Sequence, residues 1–363
     1  MPAWLITRYD DVRRVLSDAA TFSSAGGAQA AFLNATMEKE TAARLAAKNP
    51  GSIIDMDPPG HTRLRRLLTP EFTVKRMRAL RPRVEWIVNE RLDAMEKSGG
   101  PVDLVQEFAL PVPSLVICEL LGVPYEDRDD FQRRSSAQTD FRISVERRLA
   151  YGVESSAYMG TLVAKQRLDP GDDLLGMIVR EHGDTVSDEE LAGLCALVLF
   201  AGHETTASML GMGALLLLLH PDQAALVRDD PEYTDQAVEE LMRYLSAVNT
   251  PAVRTATRDV TIGDQLIRKD DAVVCSLPLA NRDESLLDDP DVFDIRRKPV
   301  SHVALGHGIH HCLGAPLARM EMRIAFPALL RRFPKLRPAV PLEEIRFRPS
   351  SIAHGLQTFP VTW

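Results

Sequence analysis

The chain has 363 residues, 45% hydrophobic and 26% charged, which excludes disordered, collagen-like and disulfide-scaffold classes. Lys and Arg number 43 against 51 Asp and Glu, and the formal charge of −8 argues against general affinity for nucleic acid or an anionic membrane. The length allows two or three domains or one large core.

The N-terminus, Met1-Pro2-Ala3-Trp4-Leu5-Ile6-Thr7-Arg8, lacks a basic segment followed by an apolar one, so it reads as neither a signal peptide nor an anchor. A short strand is expected at 5–7. Helical periodicity then dominates the first two thirds, punctuated at Pro58-Pro59-Gly60, Gly99-Gly100-Pro101, Gly122-Val123-Pro124 and Asp169-Pro170-Gly171. Ser187-Asp188-Glu189-Glu190 is a capping box, and the helix it opens can run to His220, where Pro221 stops it. At 1.5 Å per residue such a helix is about 50 Å long, enough to cross a domain. It is the most apolar stretch of the chain. His203, Glu204, Thr205 and Thr206 at its centre make a membrane span costly, so a buried helix with a polar functional segment is expected. A second helix is expected over 231–246, then β-type runs at 252–257, 260–267 and 272–276. An irregular Asp/Pro-rich segment, a helix over 313–333 and two short strands close the chain. The fold class is mainly α, with a small, late β component.

Cys118, Cys195, Cys275 and Cys312 form no paired-spacing motif, which supports neither a disulfide framework nor a Cys-based zinc finger and suits a reducing cytoplasm. The first three sit in apolar runs and read as inert small hydrophobes. Cys312 differs. It lies in Leu305-Gly306-His307-Gly308-Ile309-His310-His311-Cys312-Leu313-Gly314-Ala315-Pro316, a glycine-punctuated loop that opens a helix. Its sulfur would face backbone N–H groups and the positive helix end, which stabilises a thiolate. Gly306, Gly308 and Gly314 lack a Cβ, which lets a flat ligand approach the backbone. Zinc held by His307, His310, His311 and Cys312 is the competing metal reading, although ligands so crowded seldom make a closed tetrahedral site.

The loop resembles the haem-thiolate signature of the cytochrome P-450 superfamily, Phe-Gly-x-Gly-x-His/Arg-x-Cys-x-Gly, with Leu305 in place of the leading Phe. The resemblance implies Cys312 as the axial iron ligand, His310 on a haem propionate, and Gly306 and Gly314 against the cofactor. Ala201-Gly202-His203-Glu204-Thr205-Thr206 is similar to the family's oxygen-activation segment. Gly202 permits local opening of the helix, and the Thr205 hydroxyl can return to the Ala201 carbonyl, bending the helix and leaving a groove. Glu204 and Thr205 are the expected catalytic pair, a carboxyl and a hydroxyl placed for proton delivery. In Asp57-Pro58-Pro59-Gly60-His61-Thr62-Arg63-Leu64-Arg65-Arg66, His61 and Arg65 lie one helical turn apart, and the family implies that both, with Arg254, contact a propionate. Glu240-Leu241-Met242-Arg243 and Phe293-Asp294-Ile295-Arg296-Arg297 resemble the family's Glu-x-x-Arg motif and meander, which implies a structural network that includes Arg297 and holds the cysteine loop.

The resemblance runs to Gly355-Leu356 and the closing Pro360-Val361-Thr362-Trp363, and implies a bacterial-type, cytoplasmic monooxygenase with the cytochrome P-450 fold over 1–363. The family's usual N-terminal helix and first strand are absent, so the strand at 5–7 should have an open edge. Haem b is the expected cofactor. No flavin or nicotinamide fingerprint occurs, so electrons are expected from an acidic ferredoxin and its reductase. Basic residues for docking are Arg63, Arg65, Arg66, Lys75, Arg76, Arg78, Arg81, Arg83, Arg319 and Arg323, with Arg66, Arg76 and Arg78 the better candidates. Dioxygen and a hydrophobic small molecule are the expected substrates, the latter in a pocket walled by 28–49, 141–159, 197–201, 251–253 and 351–354. A peroxide-driven peroxygenase and a haem-thiolate gas sensor are the alternatives. The first is expected to replace the acid–alcohol pair and the second usually carries an output domain; a damaged, truncated homologue that binds haem poorly is a further alternative.

Overall fold

The computed structural model describes residues 3–25, 50–139, 143–248, 252–348 and 353–363. The expected pocket wall at 28–49 lies outside these residues, as do 141, 142, 251, 351 and 352 of the other walls. β1 (Ala3–Ile6), α1 (Tyr9–Ser17) and β2 (Phe22–Ser23) begin the fold. The helical body comprises α2 (Gly60–Leu68), α3 (Val74–Ser98), then, after the short β3 (Val102–Asp103), α4 (Pro111–Leu121), α5 (Arg128–Thr139) and α6 (Val145–Leu168). It continues through α7 (Leu174–His182), α8 (Asp188–Leu219), α9 (Pro221–Asp229) and α10 (Glu232–Leu245). β4 (Ala252–Ala256), the hairpin β5 (Val260–Ile262) and β6 (Gln265–Ile267), β7 (Ala272–Cys275) and α11 (Leu277–Ala280) follow. After a long irregular segment come α12 (Ala315–Arg332), β8 (Arg337–Pro338) and β9 (Pro360–Thr362).

The capping box forms as expected: Glu190 N donates to Ser187 Oγ at 3.2 Å, and Ser187 N donates to Glu190 Oε2 at 3.1 Å. Two of the orphan donors at the start of α8 are thereby satisfied. The helix ends at Leu219, and Pro221 opens α9 in its favoured first-turn place. By length and composition α8 could cross a membrane, but it is instead packed against α4, α6 and α12, with apolar residues around most of its circumference. It is the axis of the larger hydrophobic core. A smaller core lies under α1 and a four-stranded sheet of order β1-β7-β4-β2.

In that sheet β1 runs parallel to β7, with Ala3 opposite Ala272 and Ile6 opposite Cys275. β1 stands at the sheet edge with Leu5 exposed, two residues earlier than expected at its start and with its outer edge unpaired among the described residues. β4 lies between β7 and β2, which puts Arg254 beside the short N-terminal strand.

The Glu-x-x-Arg pair is buried and bidentate, Arg243 Nε to Glu240 Oε2 at 2.7 Å and NH2 to Oε1 at 2.8 Å. Arg243 also donates to the carbonyls of Asn281, Pro290 and Val292, and Arg297 joins through an ion pair of 3.6 Å to Glu240. These bonds end on the 281–297 segment, so this network directly holds the meander. The cysteine loop is held by neighbours of the network. Asn281 Oδ1 accepts from Val303 N at 2.7 Å, and Glu239, one residue before Glu240, reaches both ends of the loop.

Candidate active site

The cysteine loop turns on two left-handed glycines, Gly306 at φ +74° and Gly308 at φ +70°, conformations that a Cβ disfavours. Cys312 N donates to Leu305 O at 2.8 Å and closes the loop across its base. Gly308 has a further reason to be glycine, because a Cβ there would fall on the Leu16 carbonyl at the end of α1. Its missing side chain makes room for α1, not for a flat ligand. Gly314 caps α12, and a Cβ on it would meet Cys312 Sγ at 3.9 Å. The helix therefore starts at Ala315, three residues after Cys312, with Pro316 in its first turn.

The N–H groups of Gly314 and Ala315 nevertheless point at the Cys312 sulfur, and Arg65 and Arg319 add positive charge. Cys312 is accessible at its surface yet densely surrounded by protein, and that burial outweighs the donors and pushes the free thiol up from its ordinary value. The expected donors are present, but they do not by themselves hold a thiolate. Cys118, Cys195 and Cys275 are buried, and burial pushes each thiol to about 12, as suits inert core residues.

Beside Cys312 lies a cluster of cationic and would-be cationic groups. His61 on α2 is buried, neither ring nitrogen has a hydrogen-bond partner among the described residues, and its ring is 4.3 Å from that of His310. One turn along α2, Arg65 donates to His311 O at 2.6 Å. Arg254 on β4 is buried and donates to Val253 O at 2.8 Å, while His310 Nε2 and Ser24 Oγ share a hydrogen bond of 3.0 Å. Burial, then Arg254, His61 and Arg65, push His310 down to about 3. Burial and Arg65 likewise lower His61, and burial lowers both arginines. Asp57, which accepts from Ser24 N at 2.8 Å and from Ser23 Oγ, is the carboxylate whose charge opposes this cluster at His310. α2, β4 and the cysteine loop thus bring donors together, His61 and Arg254 buried and Arg65 and His310 partly buried, which is the chemistry that receives carboxylates.

On α8 the Thr205 hydroxyl donates to Ala201 O at 2.8 Å, as its spacing predicts. α8 stays helical throughout, so Gly202 does not open it. A Cβ on Gly202 would lie 2.5 Å from Ile117 Cδ1, and the glycine lets α4 pack closely instead. Glu204 is buried and ion-paired with Arg348, whose guanidinium also donates to Ser208 Oγ at 2.6 Å. His203, kept neutral mainly by burial, places Nδ1 2.9 Å from Ser135 Oγ on α5. Neither Arg348 nor Ser135 was signalled by any local motif.

The remaining unforeseen group is Glu239. It accepts from Arg319 Nε and NH2 at 2.7 and 2.8 Å, and its Oε2 lies 3.3 Å from His302 Nε2. His302 precedes the cysteine loop and Arg319 follows it, so one carboxylate ties both flanks. Burial raises this carboxyl, but the bonds from Arg319 and His302 outweigh it and bring it to about 2.

Cys312, on its glycine-turned loop, therefore lies among clustered Arg and His side chains, and the long helix α8 carries an acid–alcohol segment. The family model described as Cytochrome P-450 matches residues 153–353. Cytochrome P-450 FAS1 of Rhodococcoides fascians is 45% identical over 100% of this chain and 90% of its own length. Cytochrome P-450 165B3 of Amycolatopsis orientalis is 47% identical over 86% of this chain and 79% of its own length. The solved structure of OxyC, implicated in an oxidative C–C coupling reaction during vancomycin biosynthesis, is 44% identical with a TM-score of 0.89, covering 99% of this chain and 87% of that one. The chain belongs to the cytochrome P-450 family and is a monooxygenase of haem b.

The Glu239 clamp has a pH signature. Its folded value lies below the ordinary 4.5, so its stabilisation is complete above that value and is lost as pH falls toward about 2. The full contribution is about 3 kcal/mol at pH 7. Denaturant unfolding of the native chain and Glu239→Gln should therefore differ most at pH 7, with the difference shrinking by roughly half at pH 3. A difference independent of pH would contradict the clamp.

Proposed function

We propose that haem b is held through Cys312 as the axial thiolate, with His61, Arg65, Arg254 and His310 receiving its propionates and Gly306, Gly314 and Ala201 bordering it, in one domain over 1–363. The observation that carries this reading is the cluster of His61, Arg65, Arg254 and His310 beside the accessible cysteine, opposed by the carboxylates of Asp57 and Asp55. When bound, haem supplies the reduction of dioxygen and insertion of one oxygen atom into a substrate. The chain's own part is to shape the site and move protons. Thr205, with its hydroxyl on Ala201 O, and Glu204 are the proton-handling groups. Dioxygen and a hydrophobic small molecule are the substrates. The relatives include a nocardicin C N-oxygenase at 42% identity as well as OxyC, so the same machinery serves different bond-forming outcomes, and the pocket walls set the choice.

Electrons come, in this reading, from an acidic ferredoxin and its reductase in the bacterial cytoplasm. Several expected docking charges are already engaged: Arg76 with Glu71, Arg63 with Glu190, Arg81 with Glu85, Arg83 with Glu119, Arg319 with Glu239 and Arg323 with Asp235. Arg66, Lys75 and Arg78 are exposed and make no ion pair among the described residues, so they are the docking charges, and Arg76 is withdrawn from that set.

Three outcomes test the proposal. Cys312→Ala should lose the red-shifted Soret band of the reduced carbon monoxide complex, whereas Cys118→Ser, Cys195→Ser and Cys275→Ser should keep it; a retained band in Cys312→Ala would sink the ligand assignment. Thr205→Ala should bind haem normally but yield several-fold less product per NAD(P)H, the difference appearing as peroxide. Unchanged product per NAD(P)H would remove Thr205 from the relay. Arg66→Glu with Arg78→Glu should slow reduction by ferredoxin at low salt and leave dithionite reduction intact, and a rate indifferent to both salt and charge reversal would place docking elsewhere.

A further inference from the structure

Arg348 lies 144 residues beyond Glu204, on a short ladder in which Arg348 N donates to Gly355 O at 2.8 Å and Gln357 N donates to Arg346 O at 2.8 Å. Phe347 pairs with Leu356 as an antiparallel bridge, and the Phe347 and His354 rings stack at 5.2 Å. The ladder is itself anchored, since His354 N donates to Ala247 O at 2.7 Å just after α10. From this fixed base the guanidinium divides its donors between Glu204 and Ser208, one turn apart on α8. Gly355 makes the arrangement possible. A Cβ on it would fall on the Arg348 guanidinium and lie 2.6 Å from Ser208 Oγ.

Glu204 is buried, with 7% of its side chain exposed, and a buried carboxylate persists only with a cationic or hydrogen-bonding partner. Among the described residues, its charged partner is Arg348, and no hydrogen bond joins it to Thr205, whose hydroxyl is engaged with Ala201 O. We propose that Arg348 is a positioning residue that holds Glu204 as a carboxylate turned toward the C-terminal ladder, with Gly355 keeping the space for that contact. The paired residues 346–348 and 353–357 thereby set which way this acid faces, toward Arg348 or toward the Thr205 segment. The inference rests on the reading of Glu204 as a proton-handling group, but the ion pair can be measured apart from turnover.

The experiment is infrared difference spectroscopy of the purified holoprotein at pH 7, with Glu204→Gln as the spectral reference in each background. The native protein should show a Glu204 carboxylate band. Arg348→Gln should lose that band and gain the carbonyl band of a protonated carboxyl, and Arg348→Lys should restore the carboxylate. Gly355→Ala, which retains the arginine, should move the spectrum in the same direction as Arg348→Gln and serves if that variant folds poorly. A carboxylate band unmoved in Arg348→Gln and Gly355→Ala would overturn the proposal. If the bands shift as expected but product per NAD(P)H is unchanged in Glu204→Gln, the positioning stands and the relay reading fails.

Discussion

Four basic side chains, His61, Arg65, Arg254 and His310, are crowded beside Cys312, opposed by the carboxylates of Asp57 and Asp55. Basic groups gathered this way lose hydration and disfavour one another's charged forms, which an anion placed among them would offset. Burial and the neighbouring Arg254, His61 and Arg65 push the His310 ring down to about 3, and neither nitrogen of His61 has a hydrogen-bond partner among the described residues. A cofactor carrying two carboxylates, as haem b does, would relieve the imbalance. The cluster exists only because α2, β4 and the cysteine loop meet, so the rest of the architecture can be read as what brings them together and holds them.

Two carboxylates in succession on α10 divide that task. Glu240 is spent on Arg243 and Arg297 and so fixes the meander, while Glu239 clamps His302 and Arg319 on either side of the cysteine loop. Both are partly or fully withdrawn from water, where removing one partner strands the other and is strongly destabilising. α8 supplies the acid–alcohol segment. Successive residues of its polar segment reach different elements, His203 toward Ser135 of α5 and Glu204 toward Arg348 of the C-terminal ladder, while Thr205 returns to its own backbone. One helix therefore couples the site to two distant parts of the chain.

What could be read in advance was local. The capping box of α8, the Thr205 hydroxyl on Ala201 O and the His61–Arg65 spacing all depend on contacts within a few residues, whereas the place of Arg297 beside Glu240 followed from the family resemblance. What could not be read depended on tertiary meeting. Arg348, Glu239, Asp57 and Ser135 acquire their roles from partners far away or from the packing around them, and no periodicity marks them. Glycines were legible as glycines but not for their reason: Gly202 and Gly308 make room for α4 and α1, where a sequence says only that a Cβ is absent. Charge was legible in number and not in availability, since Arg76, Arg319 and Arg323 turn out to be paired. The Cys312 sulfur has its expected donors, but the opposing cost of burial appears only once the surrounding protein is in place.

If His61, Arg65, Arg254 and His310 receive the two carboxylates of the cofactor, haem affinity must depend on those carboxylates. The most direct measurement is equilibrium binding of haem b to the haem-free protein, compared with haem whose propionates are esterified to methyl groups. The diester should bind at least about tenfold more weakly, and His61→Ala and Arg254→Ala should each weaken haem b while leaving the diester nearly unaffected. Equal affinity for the two haems, with both substitutions acting on them alike, would contradict it.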